Sequence, residues 1–395
     1  MKRDDLLANL ALLGLCSSFV LPIISFMGFS LYLTTFISLI LLFSLIFYKV
    51  KIDFLSFLIF LLCFIVFFSS LYSNAFGFSV YNFSNYLEAF KYFQYLSYLL
   101  VFMSFNRTYS FGFFLRYLNF SVYIYLFVFF IQLMNPIGLG IILGNMYLGG
   151  EDSQHLVGIE TGNRLPITGA NPNVGAVIGS FFTLFYLAIF VDKRNKFDFI
   201  IFLLCFISVF FTQSRTTLVG LIFVLMVFGF YSNVRIFYKI LFPILLSFGV
   251  FFIFKFMELN YVVEGFLNAK KGDNNSLNAR FDTMNMVLDV FKESPFFGVG
   301  PSKTEYLLNF DSEYLLILMR YGILGAVVFF TFISFLIFKS FQNRKNVIGL
   351  TLFLYSVLTL FVMLTNNAYS GYQLMSITVF LYIYLYCFKK HMEKL

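Results

Sequence analysis

The chemistry available to this sequence is concentrated in a few charged side chains set among apolar runs. Arg164, Arg215 and Arg280 each fall where the residues around them are mostly uncharged or apolar. Arginine stays ionised and presents a planar fork of donors that matches phosphate oxygens in pairs. After Arg280 come the carboxylates Glu305, Asp311 and Glu313, and then Arg320. A carboxylate can take the proton of an attacking hydroxyl. Arginines of this kind can also stabilise a departing pyrophosphate where other sites use a metal. The sequence shows no Asp-rich metal motif, and His155 and His391 are too few and too far apart to hold an ion, so neither metal nor cofactor is expected.

These side chains must be positioned by an unusual chain. Of its 395 residues 60% are hydrophobic and 12% charged, with 62 Phe and no Trp. Soluble domains carry about a quarter charged residues, and a single soluble core stops growing at roughly 250–300 residues. A soluble enzyme, a disordered chain and a disulfide-rich module are all poor fits, and a polytopic membrane protein is expected. The net charge of +8 does not mark a nucleic-acid binder, because the basic residues recur as short clusters between apolar runs. Cys16, Cys63, Cys205 and Cys387 lie inside apolar stretches and read as small buried hydrophobes. Residues 1–24 resemble a signal peptide but lack a small-residue cleavage site, so they are expected to stay as a first helix.

A membrane-crossing helix needs about 20 apolar residues. That length predicts an all-α bundle of about twelve spans in one domain, 1–395, at 6–24, 27–48, 52–71, 86–105, 113–134, 173–191, 197–213, 216–231, 239–258, 312–338, 347–364 and 370–388. Two long loops, 135–172 and 259–311, separate them. Most Lys and Arg fall in segments that are cytoplasmic if both termini are, which puts both long loops on the opposite side.

Against this topology the arginines are out of place. Arg215 sits in a tight turn between two apolar spans, and Arg164 in a Gly-rich loop expected to hold little regular structure. Snorkelling to lipid headgroups is an alternative use for Arg215. In Asn171-Pro172-Asn173, Asn173 is a candidate cap for the next helix, and both asparagines are candidate ligand contacts. Over 276–293, Leu277, Phe281, Met284, Leu288 and Phe291 recur at helical spacing, so an amphipathic helix with that stripe facing the bundle is predicted. Arg280 near its start opposes the helix dipole, whereas Asp311 and Glu313 before the tenth span suit it. Glu88 and Lys91 open the fourth span one turn apart and can pair; Lys255 and Glu258 close the ninth, and Arg320 lies about two turns into the tenth. Charge at membrane depth is costly and usually functional. Here it gathers toward one face, with the inner halves of the spans nearly uncharged.

Three segments, RLPITGANPNVG (164–175), TQSRTTLVG (212–220) and RFDTMNMVLDVFKESPFFGVG running on to DSEYLLILMRYGILG (280–325), resemble the oligosaccharide repeat-unit polymerases of bacterial surface polysaccharides (Wzy type) and the related O-antigen ligases. Arg164 and Gly175 match the polymerases' Arg-x10-Gly pattern, whereas Phe291 stands where Arg280 would need its glycine. Asp311-Ser312, with Gly322 and Gly325, matches the ligases' His-Asn/Ser-x9-Gly-x2-Gly pattern except at the histidine, which favours a polymerase.

The resemblance implies a glycosyltransferase of the bacterial inner membrane, active at its outer face. Growing glycan on undecaprenyl pyrophosphate would be the donor, and an incoming lipid-linked repeat unit would supply the hydroxyl. Arg164, Arg215 and Arg280 would hold the pyrophosphate. Glu305, Asp311 or Glu313 would orient or deprotonate the hydroxyl, Asp311 being preferred. Asn171, Asn173 and Arg320 would contact substrate. Membrane lipids, a chain-length co-polymerase and a flippase of the same pathway are the implied partners. The rivals are a ligase delivering glycan to lipid A–core and, from another class, a lipid-linked oligosaccharide flippase. A flippase would need cationic residues along a path through both leaflets, which the sequence does not show.

Overall fold

A computed structural model of the chain describes residues 3–26, 29–79, 82–105, 109–148, 154–162, 164–231, 275–301 and 312–392. The expected ninth span, 239–258, with Lys255 and Glu258, lies outside the described residues, as do Glu305 and Asp311.

The other expected spans all coincide with helices, and polar side chains cap several of them. α1 (Arg3–Val20) stops before Pro22, earlier than expected. It leads to a small antiparallel hairpin, β1 (Ile24–Phe26) and β2 (Phe29–Leu31), in which Ile24 pairs with Leu31. The second helix, α2 (Leu33–Leu45), is therefore shorter than the apolar run 27–48 suggests. Asp53 caps α3 (Phe54–Ala75) by accepting from the Ser56 N–H, and Asn82 caps α4 (Phe83–Ser104). α5 (Phe111–Met134) ends at left-handed Asn135.

The loop expected to be irregular instead holds α6 (Leu139–Leu148) and α7 (Gln154–Glu160). The apolar run LGIILGNMYL outweighs its glycines: Gly140 and Gly144 are buried, and Tyr147 donates to the Val20 carbonyl at 2.7 Å.

α8 (Pro172–Lys193), α9 (Lys196–Phe211) and α10 (Arg215–Tyr231) follow. After α11 (Asn275–Glu293) come α12 (Glu313–Gln342), α13 (Val347–Val362) and α14 (Tyr372–Met392). α8 is the core element. It is buried almost along its whole length and packs on α9, α10, α13 and α14. Gly179 lets Val209 of α9 and Tyr125 of α5 approach closely.

α3 and α5 face outward with continuous apolar stripes, Phe57, Phe60, Phe64 and Phe67 on one and Phe120, Tyr123, Phe127 and Phe130 on the other. Stripes of that size have no place against water. Among the described residues α3, α5, α8 and α12 are each long and apolar enough to cross a membrane, and several shorter apolar helices join them. The chain is a helical membrane protein.

The tenth span contains a break that hydropathy does not reveal. Gly322 in α12 has φ 60 and ψ −161, a conformation reserved for glycine. Residues 294–301 restore the interrupted backbone bonds. Val299 and Gly300 N–H donate to the Met319 and Arg320 carbonyls at 3.0 and 2.9 Å, and Ile323 N–H donates to the Pro295 carbonyl at 2.9 Å. From α3, Ser69 Oγ donates to the Arg320 carbonyl at 2.7 Å and Ser73 Oγ to the Val299 carbonyl at 2.6 Å. Broken helices persist at membrane depth only where protein repairs them in this way.

Candidate functional site

At one end of the bundle, five separate segments meet. The first is 164–171. Leu165 N–H donates to the Phe211 carbonyl at 2.8 Å, fastening this segment to the turn 212–214 that precedes Arg215. Gln132 of α5 grips it at Ile167 on both sides, and Gln373 of α14 accepts from Ala170 N–H and donates to the Thr168 carbonyl. Gly175 closes the other flank, because a Cβ there would overlap the Pro166 carbonyl. The glycine eleven places after Arg164 is thus a packing requirement of the turn that carries the arginine.

Arg164, Ile167 and Gln213 all adopt left-handed backbone, with φ of 60, 55 and 51. Left-handed conformations cost non-glycine residues about 1–3 kcal/mol each. Two strained turns bonded to each other therefore present Arg164 and Arg215, both half-buried. Neither turn carries a carboxylate of its own between residues 161 and 173 or 211 and 217.

Asn171, not Asn173, caps α8, accepting from Val174 N–H at 2.9 Å. Pro172, which has no N–H to satisfy, occupies the first helical position and moves Asn173 into the first turn.

The turn between α13 and α14 forms the centre of the site. Thr365 Oγ1 donates to Thr216 Oγ1 at 2.8 Å, joining it to the first turn of α10. Glu313, the first residue of α12, is 0% exposed and aims its carboxylate at the backbone. It accepts from Ala368 N–H at 2.7 Å, Tyr369 N–H at 3.0 Å and Ser370 N–H. Its oxygens are already engaged in shaping this turn. Across it, Lys91 Nζ pairs with Glu88 at 2.6 Å and donates to the Ser370 carbonyl at 2.6 Å. Arg320, Glu88 and Glu313 lie within electrostatic reach of both the Tyr92 and Tyr321 hydroxyls.

Beside Tyr321, a ≈ 200 Å³ apolar cleft opens between α3 and the break in α12, lined by Phe64, Phe68, Ser69, Phe297 and Leu324.

Arg280 falls within α11. The buried face of that helix differs from the expected stripe. Val287 and Val290 are 0% and 8% exposed and pack with Val299, Leu316 and Met319, whereas Met284 and Leu288 are 37% and 41% exposed. The compact valines fit the broken segment of α12, which turns the longer side chains outward.

The sequence reading passed over Asn366, Asn367 and Ser370. The polar run TNNAYSG between two apolar helices was visible, but its only signal is neutral amides and hydroxyls.

Residues 200–330 match a family model described as O-Antigen ligase (Wzy_C). The matched third of the chain contains Arg215, Arg280, Glu313 and Arg320, while Arg164 and the turn at 366–370 lie outside it. The family covers O-antigen ligases and related polymerases, glycosyltransferase-like enzymes acting on glycans. No curated protein matches the chain.

Proposed function

With a third of the chain similar to the O-antigen ligase family, we propose that this protein polymerises lipid-linked oligosaccharide repeat units at the outer face of the bacterial inner membrane. It does so as one membrane domain of about twelve spans, with both termini in the cytoplasm. The acceptor sugar's hydroxyl oxygen attacks the anomeric carbon of the donor glycan. The bond from that carbon to the pyrophosphate oxygen breaks, the lipid pyrophosphate leaves, and a carboxylate takes the hydroxyl proton. Asp311 is the proposed base, since Glu313 is committed to the 368–370 turn.

One observation carries this reading: Arg164 stands on, and Arg215 directly follows, one of two strained, mutually bonded turns that contain no carboxylate of their own. Preorganised positive charge of that kind suits a pyrophosphate leaving group. Arg280, at the start of α11, is proposed as the third member of the clamp. The apolar cleft beside Tyr321 is a natural place for the carrier's prenyl chain. Polymerase is favoured over ligase because Asp311 stands where the ligase pattern has histidine.

A gene-deletion strain tests the assignment. Surface glycan reduced to a single repeat supports a polymerase; long chains stranded on carrier lipid indicate a ligase.

A further inference from the structure

The arginine turns account for the leaving group and leave open where the second glycan sits. The 366–370 turn is held by a dense set of hydrogen bonds, yet two of its side-chain atoms, Asn366 Nδ2 and Asn367 Oδ1, take no part in them. Three backbone N–H groups bind Glu313, the Ser370 carbonyl binds Lys91, Ser312 and Glu313 bond the Met363 carbonyl, and Tyr369 and Thr359 share a hydroxyl bond. Within this frame Asn366 Nδ2 and Asn367 Oδ1 are buried without a hydrogen-bond partner, as is Arg320 Nε two turns into α12. Buried polar groups nearly always find one, and an unsatisfied group costs about 1–3 kcal/mol.

Charge decides what kind of ligand would supply those partners. Glu88 and Glu313 balance Lys91 and Arg320, so this part of the site is close to neutral. An anion gains little there, unlike at Arg164 and Arg215. A mixture of amide donor, amide acceptor and the Ser370 hydroxyl matches a polyhydroxylated ligand, each of whose hydroxyls both donates and accepts. Asn366, Asn367 and Ser370 are only half-buried as residues, so side-chain rotation presents these atoms outward.

We infer that the 366–370 turn, with Arg320, is a binding subsite for the neutral sugar hydroxyls of the acceptor glycan, separate from the cationic turns that hold the donor's pyrophosphate. The assignment of acceptor rests on the proposed polymerase reading; the recognition of sugar hydroxyls does not.

The full-length protein in lipid nanodiscs can be titrated with the oligosaccharide released from the strain's own surface polysaccharide, and separately with inorganic pyrophosphate, with binding followed by saturation-transfer NMR and calorimetry. Asn366→Ala/Asn367→Ala should weaken oligosaccharide binding about tenfold or more, the loss expected from two neutral hydrogen bonds, while pyrophosphate binding stays as in wild type. Arg164→Ala/Arg215→Ala should show the reverse. Retained pyrophosphate binding certifies that the asparagine variant is folded, and Asn366→Ser, which keeps a small neutral polar group, is a second, milder probe of the same contact. Unchanged oligosaccharide binding in the asparagine variants, absence of oligosaccharide binding in wild type, or equal loss of both ligands would overturn the inference. Selective sugar binding here in a protein that makes no polymer from lipid-linked units would sink the polymerase reading and leave the subsite standing.

Discussion

At the scale of single residues, two kinds of charge are put to different uses. Arg164 and Arg215 are displayed on strained turns, whereas Glu313 is consumed in building one. If the arginines only anchor lipid headgroups, lysine snorkels as well and should replace them. If they grip a pyrophosphate, loss of the bidentate fork matters even with charge retained. Arg215→Lys should then lower the polymerisation rate by about 100- to 1000-fold, by analogy with the loss of an oxyanion-hole donor, at normal protein level. Arg164→Lys should follow in the same direction, and near wild-type polymer from both would leave them as anchors. Glu313→Gln replaces an acceptor of three N–H bonds with a group that can accept through one oxygen only. It should destabilise the purified protein by about 1–3 kcal/mol, read as a lowered thermal midpoint in detergent. An unchanged midpoint would show that the carboxylate is not what holds the 368–370 turn.

At the scale of elements, the decisive feature is the break in α12 and the segment that repairs it. Gly322→Ala should sharply reduce folded protein, because a Cβ there overlaps the Phe296 carbonyl and φ 60 is strained for alanine. Gly112→Ala, where a Cβ meets nothing within 4 Å, is the matching control and should be nearly silent. Size-exclusion profiles of the two variants compare them directly, and equal yields would contradict the break. Hydropathy located helices well, since α8 at Pro172–Lys193 lies within two residues of the expected 173–191. It could not locate the break, because apolar residues continue on both sides of Gly322 and a single glycine barely alters the average over a span. The face of α11 differs for a related reason: helical spacing picks out Met284 and Leu288, while the partner's shape, which selects Val287 and Val290, appears only in three dimensions. The Arg-x10-Gly spacing was legible in sequence, but the packing of Gly175 on Pro166 that explains it was not.

At the scale of the molecule, the bundle is polar in different ways at its two ends. The arginine turns, the Glu88–Lys91 pair and the 366–370 turn share one end. At the other, Tyr48 and Tyr109 bond to Asp4 and Tyr382 bonds to Asp53. If the first end faces outward, single cysteines at Asn195 and Asn343 should react with impermeant reagent only after the cytoplasmic side is opened. A cysteine at Thr161 should react in intact cells. Labelling of Asn195 from outside would invert the placement of the site.

The most direct test is to incubate the purified protein in lipid with its own lipid-linked repeat unit and resolve the products on a gel. A polymerase extends the glycan to a ladder of one-repeat steps, with Arg215→Lys stopping at the input unit. Repeat units that stay single with the wild-type protein, but are transferred once when lipid A–core is added, would contradict polymerisation and establish a ligase.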